Sequence, residues 1–299
     1  MCRHRLDEDS RQGPVIDPRV SVVIPTWNEA KNLPHVFSLL PADLHEVIVV
    51  DGRSVDGTVE VARALRPDVR VVLQNRKGKG NAMACGFAVA TGDIIVMLDA
   101  DGSADPREIP RFVDSLVAGA DYAKGSRFAN GGGSADITRT RAWGNRWLNR
   151  TANALFGTRY TDLCYGYNAF WSQCLPALQL DASDRATGER LWGDGFEIET
   201  IINTRMAKAR LRIVEVPSFE FERLHGQSHL NTWRDGMRVV RALVVERFNH
   251  VGPGAAVQHR WQLPLVEVSE VVPVPRDSEA IAVASLRRDH LTTVEARTG

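Results

Sequence analysis

Two apolar runs in the first third of the chain end in aspartate, and this feature constrains the fold more than any other. The run at 47–50 is followed by Asp51, and the run at 94–98 is followed by Asp99 and Asp101. Helical sequence separates the runs, as in sheets whose parallel strands end at one edge. The pattern predicts a ligand crevice at that edge, with carboxylates suited to a hard divalent cation.

Strand-like and helix-like segments alternate from about residue 20 to about residue 130. Short β-branched runs alternate with stretches of helical spacing, the strands at 20–25, 47–50, 69–73 and 94–98 and the helices near 33–40, 58–65 and 81–90. This alternation predicts an α/β fold with a Rossmann-like, mostly parallel sheet flanked by helices. Further along, we expect helices over 138–156, 196–208 and 232–248, an extended aromatic stretch over 161–171, and a strand over 211–216.

Composition favours a globular protein with loose ends. The 299 residues are 43% hydrophobic, enough for a sizeable core, and 37 basic residues balance 37 acidic ones. This balance argues against a nucleic-acid partner. We expect a flexible tail at 1–18, a catalytic-size domain at 19–231, an amphipathic helix at 232–250 and a tail at 251–299. The four cysteines lack metal-ligand spacing, which predicts reduced thiols.

Neither a secretory signal nor a membrane-spanning segment is predicted. The polar stretch at 1–18 has no apolar core, and no window approaches the roughly 18 apolar residues that cross a bilayer. A cytoplasmic location is therefore expected. The 232–248 segment places apolar residues along one stripe with arginines beside it. Such a helix either packs on the domain or lies on anionic lipid at the inner face of the membrane.

Five motifs follow one another along the chain: Val-Val-Ile-Pro-Thr-Trp-Asn-Glu (22–29), Val-Val-Asp-Gly-Arg-Ser-Val-Asp-Gly-Thr (49–58), Gly-Lys-Gly-Asn-Ala (78–82), Leu-Asp-Ala-Asp-Gly (98–102) and Gly-Ser-Arg-Phe (125–128). Together they resemble the family 2 glycosyltransferases of GT-A fold, in particular the dolichol-phosphate mannose synthase and polyprenyl-phosphate glycosyltransferase branch. The family often has Asp-Asp-Gly-Ser where this chain has Asp-Gly-Arg-Ser at 51–54. The second acid is thus missing, and an arginine replaces the glycine.

The resemblance implies a metal-dependent inverting enzyme that moves a hexose from a UDP- or GDP-sugar to a polyprenyl phosphate. Asp99 and Asp101 would hold Mg²⁺ or Mn²⁺, with Asp101 the firmer ligand, and the cation would stabilise the departing diphosphate. The nucleotide would be held by loop residues near the same edge, namely Pro25, Asn28, Glu29, Asp51, Lys79 and Asp99.

The resemblance also implies an acceptor side and a set of catalytic residues. The catalytic residues would be Asp101, Arg127 and Asp162, with the planar fork of Arg127 binding phosphate. The acceptor would be bound by Arg141, Asn145, Arg223 and Ser228. A hydroxyl acceptor needs a carboxylate base, whereas an ionised phosphate acceptor needs none.

Two alternatives stay open. One is transfer to the hydroxyl of a soluble sugar or natural product, with Asp162 as the base. The other is a nucleotide-sugar binding module without turnover, which the altered turn at 51–54 favours.

Overall fold

The computed structural model describes residues 17–183, 190–226 and 232–249, without side chains at 232–235. The strands are β1 (Val20–Thr26), β2 (Glu46–Asp51), β3 (Arg70–Leu73), β4 (Ile94–Met97), β5 (Tyr122–Ser126), β6 (Gly133–Ser134), β7 (Asn168–Trp171), β8 (Ile213–Pro217) and β9 (Phe219–Glu220). The helices are α1 (Leu33–Ser38), α2 (Thr58–Leu65), α3 (Lys79–Val89), α4 (Ile109–Val117), α5 (Arg139–Phe156), α6 (Leu175–Leu178), α7 (Ile198–Lys208) and α8 (Thr232–Phe248).

A seven-stranded sheet forms the centre, in the order β3-β2-β1-β4-β7-β5-β8. The first four of these strands are parallel, which confirms the predicted mostly parallel sheet. Side chains such as Val22, Val49 and Val96 are fully buried, because helices cover both faces and the strands read as continuous apolar runs. Thr26 is in register with Asp51, so the carboxyl ends of β1 and β2 lie at one edge.

β7 runs against its neighbours in the sheet. It pairs antiparallel with both β4 and β5, with Asn168 opposite Met97 on one side and opposite Lys124 on the other. The expected extended stretch at 161–171 is therefore a strand only over its last four residues. Because β7 is reversed, the segment that enters it reaches the sheet at the edge where β4 ends.

The helices differ from the predicted ones in several places, among them the four-residue α6, which was not predicted. α4 was not predicted, although Ile109, Phe112 and Leu116 recur at helical spacing and are buried. α1 ends at Ser38 rather than near residue 40.

α8 packs on the domain through one face. Leu243 is fully buried in a cluster with Leu148 of α5, and the buried Glu246 pairs with Arg205 of α7 at 2.9 Å. Within the described ranges, no helix combines the length and apolarity that crossing a bilayer requires. Of the cysteines there, Cys85, Cys164 and Cys174 are free thiols.

Candidate active site

Asp51 ends β2 with one carboxylate oxygen engaged and the other without a partner. Its Oδ2 accepts a hydrogen bond from the Ser54 amide at 2.9 Å. Its Oδ1 is buried, with no hydrogen-bond partner in the structure. A buried oxygen without a donor is costly, so a group that donates to it would bind favourably. Beside this turn lies a cavity of about 230 Å³, lined by Trp27, Gly52, Arg53, Gln74, Asn75, Arg76 and Lys77.

The loops that follow β1 and β2 are tied together by Asn28. Its side-chain Oδ1 accepts a hydrogen bond from the Val55 backbone N–H at 2.9 Å, and its own backbone N–H donates to Ser54 Oγ at 2.8 Å. Asn28 and Arg53 both have positive φ, of 58° and 66°. Glycine adopts a left-handed conformation at less cost than any other residue, so Arg53 holds a backbone conformation that its side chain disfavours. Pro25 is half-buried within β1, in register with Val50.

Lys79 lies between two carboxylates at the start of α3. Its Nζ is 2.6 Å from Asp99 Oδ1 and 2.7 Å from Glu199 Oε1. Burial alone would lower the pKa of Lys79, but the charges of Asp99 and Glu199 outweigh it and raise the pKa above its ordinary value. The ammonium is therefore charged at neutral pH, and it holds Asp99 at the mouth of the crevice.

Asp101 is held by the loop that follows it and by an arginine from far along the chain. Its Oδ1 accepts from the Ser103 amide at 2.9 Å and from Ser103 Oγ at 2.7 Å. Its Oδ2 is 2.8 Å from Arg223 Nη2, and Arg223 Nη1 is 3.7 Å from Glu29 Oε1. Burial raises the pKa of Glu29, an effect that Asn32 and Arg223 oppose only in part. The structure thus brings Glu29, Asp101 and Arg223 together.

The acids at this corner suit a cation that arrives with a ligand. Among the described residues, no group of three or more His, Cys, Asp or Glu is placed to hold a metal. Mg²⁺ commonly takes one or two protein carboxylates and completes its shell with water and substrate phosphates. Asp99 and Asp101 supply such a pair from one loop. The two residues therefore fit Mg²⁺ or Mn²⁺ bound together with a diphosphate.

Arg127 and Asp162 are buried and bind each other. Arg127 Nε and Nη2 donate to the two carboxylate oxygens of Asp162 at 2.6 and 2.9 Å, while Nη1 donates to Glu220 at 2.9 Å. Arg127 is 8% exposed and Asp162 is not exposed at all. All three guanidinium nitrogens are committed to protein carboxylates. Each residue thus holds the other in position, and the contacts of Arg127 with phosphate and of Asp162 with the acceptor stay predictions.

The remaining predicted acceptor residues are dispersed. Asn145 of α5 donates to Asp162 Oδ1 at 3.1 Å and is buried, and its Oδ1 has no partner. Arg141 is half-exposed and donates to Asp136 at 2.8 Å. Ser228 lies outside the described residues. The structure therefore joins Asn145 to Arg127 and Asp162, whereas Arg141 pairs separately with Asp136.

The family model described as Glycosyl transferase family 2 matches residues 21–175, which is just over half of the chain. An undecaprenyl-phosphate mannosyltransferase of Micrococcus luteus is 34% identical over 234 residues, covering 74% of this chain and 91% of the relative. The chain belongs to glycosyl transferase family 2. This confirms the predicted family and a glycosyltransferase activity. A polyprenol monophosphomannose synthase of Mycolicibacterium smegmatis is also 34% identical, over 71% of this chain and 81% of the relative.

Solved structures share the fold of this family 2 glycosyltransferase. A mycobacterial protein matches with a TM-score of 0.61 at 20% identity, covering 77% of this chain and 74% of its own. A glucosyl-3-phosphoglycerate synthase of Mycobacterium tuberculosis, crystallised with Mn²⁺, UDP and glucosyl-3-phosphoglycerate, gives a TM-score of 0.56 at 21% identity, covering 77% and 80%. The likeness confirms the predicted GT-A fold.

Three partners in the glycosyltransferase site were not predicted individually. Glu199 forms an ion pair with Lys79, and Glu220 binds Arg127 together with Asp162. Asp194 forms a buried ion pair with Arg76 at 2.8 Å. Glu199 lies outside the five motifs on which the family resemblance rests. The sequence alone does not show which basic side chain an acid will pair with when the two residues are far apart in the chain.

Proposed function

We propose that this glycosyltransferase moves a hexose from a nucleoside diphosphate sugar, UDP- or GDP-linked, to a polyprenyl phosphate, with Mg²⁺ or Mn²⁺ bound at Asp99 and Asp101. The observation that carries the proposal is the alternation of charge at one sheet edge. Each of the two aspartates is paired with a cationic side chain, Lys79 or Arg223. A corner with two acids and two bases suits a metal ion and a diphosphate bound side by side.

Each residue at this edge has a distinct task. When bound, the divalent cation neutralises charge that develops on the leaving diphosphate. Lys79 and Arg223 hold the side chains of Asp99 and Asp101 in place, so the leaving group departs into a site already arranged for it. Asp51 Oδ1 accepts from a base N–H or a ribose hydroxyl at the far end of the nucleotide. Asn28 and Glu29 maintain the loops between these points.

The state of Asp162 supports a phosphate acceptor over a hydroxyl acceptor. Burial alone would raise the pKa of Asp162, but Arg127 outweighs that effect and lowers the pKa below its usual value. A buried carboxylate with a lowered pKa and four hydrogen-bond donors around it is a poor proton acceptor. A phosphate is already ionised at neutral pH and attacks without a base. The named relatives act on polyprenol phosphates, which favours the same acceptor class.

We further propose that α8 allows the enzyme to reach a lipid-borne acceptor from the inner surface of a membrane. Met237 and Val244 are 66% and 51% exposed, and they lie on the side of α8 opposite the buried Glu246. Arg241 and Arg247 are exposed on the same helix. Exposed apolar residues flanked by arginine are typical of helices that lie in the plane of a lipid surface.

Asp101→Asn tests the metal assignment. The variant keeps the shape of the side chain but removes its charge, so we expect Mn²⁺-dependent release of nucleoside diphosphate to fall at least about 100-fold, since such a cation supplies several kcal/mol. The assay supplies each sugar nucleotide in turn with an isoprenoid phosphate, or with a soluble sugar as acceptor. Asp114→Asn, on the exposed side of α4, is the matched control. Undiminished turnover in Asp101→Asn would eliminate the assignment.

A further inference from the structure

The outward side of α5 carries only arginine and tryptophan at its central positions. Trp143 and Trp147 are 68% and 49% exposed, an unusual state for so large an apolar side chain. Arg139, Arg146 and Arg150 are exposed as well. The five positions are three or four residues apart, so they lie on one side of the helix, which we term the Arg–Trp face.

The Arg–Trp face has positive charge that no acid in the described part of the chain neutralises. α5 contains no Asp or Glu in its 18 residues. Among the described residues, Arg139, Arg146 and Arg150 form no salt bridge; the arginine of this helix that does is Arg141, which pairs with Asp136. Because the whole chain has no net charge, this local excess is a property of the surface and not of the overall composition.

The opposite side of the same helix explains why the face is not needed for folding. Leu148 and Ala152 are buried against Leu243 of α8, and Asn145 is buried against Asp162. α5 therefore satisfies its packing with one side only. The arginines and tryptophans of the other side contribute nothing to that core.

We propose that the Arg–Trp face docks on the surface of an anionic lipid bilayer. Tryptophan prefers the boundary between lipid headgroups and acyl chains, where its ring is apolar and its N–H remains hydrated. Arginine binds headgroup phosphates through its planar fork. Nucleic acid is also anionic, but the phosphate backbone of a duplex offers no apolar layer for the exposed rings of Trp143 and Trp147. A bilayer accommodates both the arginines and the tryptophans.

Vesicle sedimentation of the full-length chain tests the proposal. Vesicles of phosphatidylcholine, with or without phosphatidylglycerol, contain no polyprenyl phosphate, so binding is measured separately from the proposed transfer reaction. We expect binding only to the anionic vesicles, and weaker binding at high salt. The triple variant Arg139→Gln/Arg146→Gln/Arg150→Gln should bind anionic vesicles about 100-fold more weakly, because each arginine near the surface contributes about fivefold to the affinity.

Matched variants separate the face from general charge and from misfolding. Arg63→Gln/Arg111→Gln/Arg210→Gln removes the same charge from exposed positions elsewhere and should bind nearly as wild type. Replacing the three α5 arginines by lysine keeps the charge and should retain most binding. The variant Trp143→Ala/Trp147→Ala should bind anionic vesicles at least about tenfold more weakly than wild type, and this difference should persist at high salt.

Several results would overturn the proposal. These are the absence of sedimentation with anionic vesicles, or an equal loss in the α5 triple variant and the matched control. RNA binding that depends on the same arginines, without vesicle binding, would assign the face to nucleic acid instead. Transfer by the wild-type enzyme to a detergent-dispersed isoprenoid phosphate tests the proposed reaction separately, and its absence would count against that reaction and not against docking.

Discussion

Asp162 receives hydrogen bonds from the Arg127 backbone and side chain and from Asn145, and its side chain is shielded from water. A buried ion pair of this kind adds little net stability over an apolar pair, but removing one partner leaves an uncompensated charge. Because Arg127, directly after β5, and Asn145 of α5 both donate to the Asp162 carboxylate, the cluster fixes the position of α5 relative to β5.

Asp162→Asn should destabilise the fold by about 3 kcal/mol, the lower end for breaking a buried pair, since Glu220 still neutralises Arg127. Urea unfolding at neutral pH measures the loss. The folded pKa of Asp162 is lowered, so its contribution is complete above about pH 4, the unfolded value, and declines as pH falls through the folded pKa. The variant should lack this acid-dependent component.

Asp114→Asn serves as the control, because Asp114 is exposed on α4. It should unfold as wild type does at both neutral and acid pH. An Asp162→Asn protein as stable as this control would contradict the positioning role.

At the scale of elements, the start of α3 is closed by the loop at 193–195. Gly80 and Asn81 donate their amides to the Asp194 carbonyl at 2.9 and 3.3 Å. These amides at the start of a helix would otherwise attract an anion. Because they are already satisfied, anion binding near α3 depends on the side chain of Lys79.

Gly80→Ala should destabilise the protein by about 1–3 kcal/mol, because a Cβ there would collide with the Gly193 carbonyl. Differential scanning calorimetry compares it with Gly144→Ala in α5, where a Cβ meets nothing within 4 Å. The Gly144→Ala control should stabilise the protein by about 0.5–1 kcal/mol, because alanine has a higher helix propensity than glycine. Equal effects in the two variants would contradict the close approach of the loop.

The sequence was sufficient to predict those strands whose burial produces a run of apolar residues. β1, β2 and β4 read as apolar runs because both faces are covered, and Asp51 and Asp99 follow directly from where those runs stop. The reversal of β7 was not predictable, since a four-residue strand carries no direction in its pattern. Nor was the pairing of Lys79 with Glu199, because the two residues meet only through the packing of α3 and α7.

At the scale of the whole molecule, the proposed donor site draws on segments that are far apart in the chain. Asp51, Lys79, Asp101 and Arg223 come from four separate segments, and Arg223 reaches Asp101 from more than a hundred residues away. A ligand that contacts all of these segments should stabilise the folded state globally, because unfolding any of them would release it.

Nucleoside diphosphate with Mn²⁺ should therefore raise the melting temperature. At about 100 times the dissociation constant the gain is about 2.7 kcal/mol, which corresponds to about 5–10 °C for a domain of this size. Thermal unfolding with UDP and with GDP, each in Mn²⁺ and in EDTA, measures the shift and ranks the two nucleotides. A shift that survives EDTA or Asp101→Asn would contradict shared binding of metal and diphosphate.

The ion pair between Arg127 and Asp162 joins the two ends of a long excursion of the chain, which leaves the sheet after β5 and returns to it through β7. The segment between those ends, α5 included, is thus anchored at its base, and it also packs on α8 through Leu148. A different segment grafted between the same two residues would have to keep both anchors in order to rest on the same sheet.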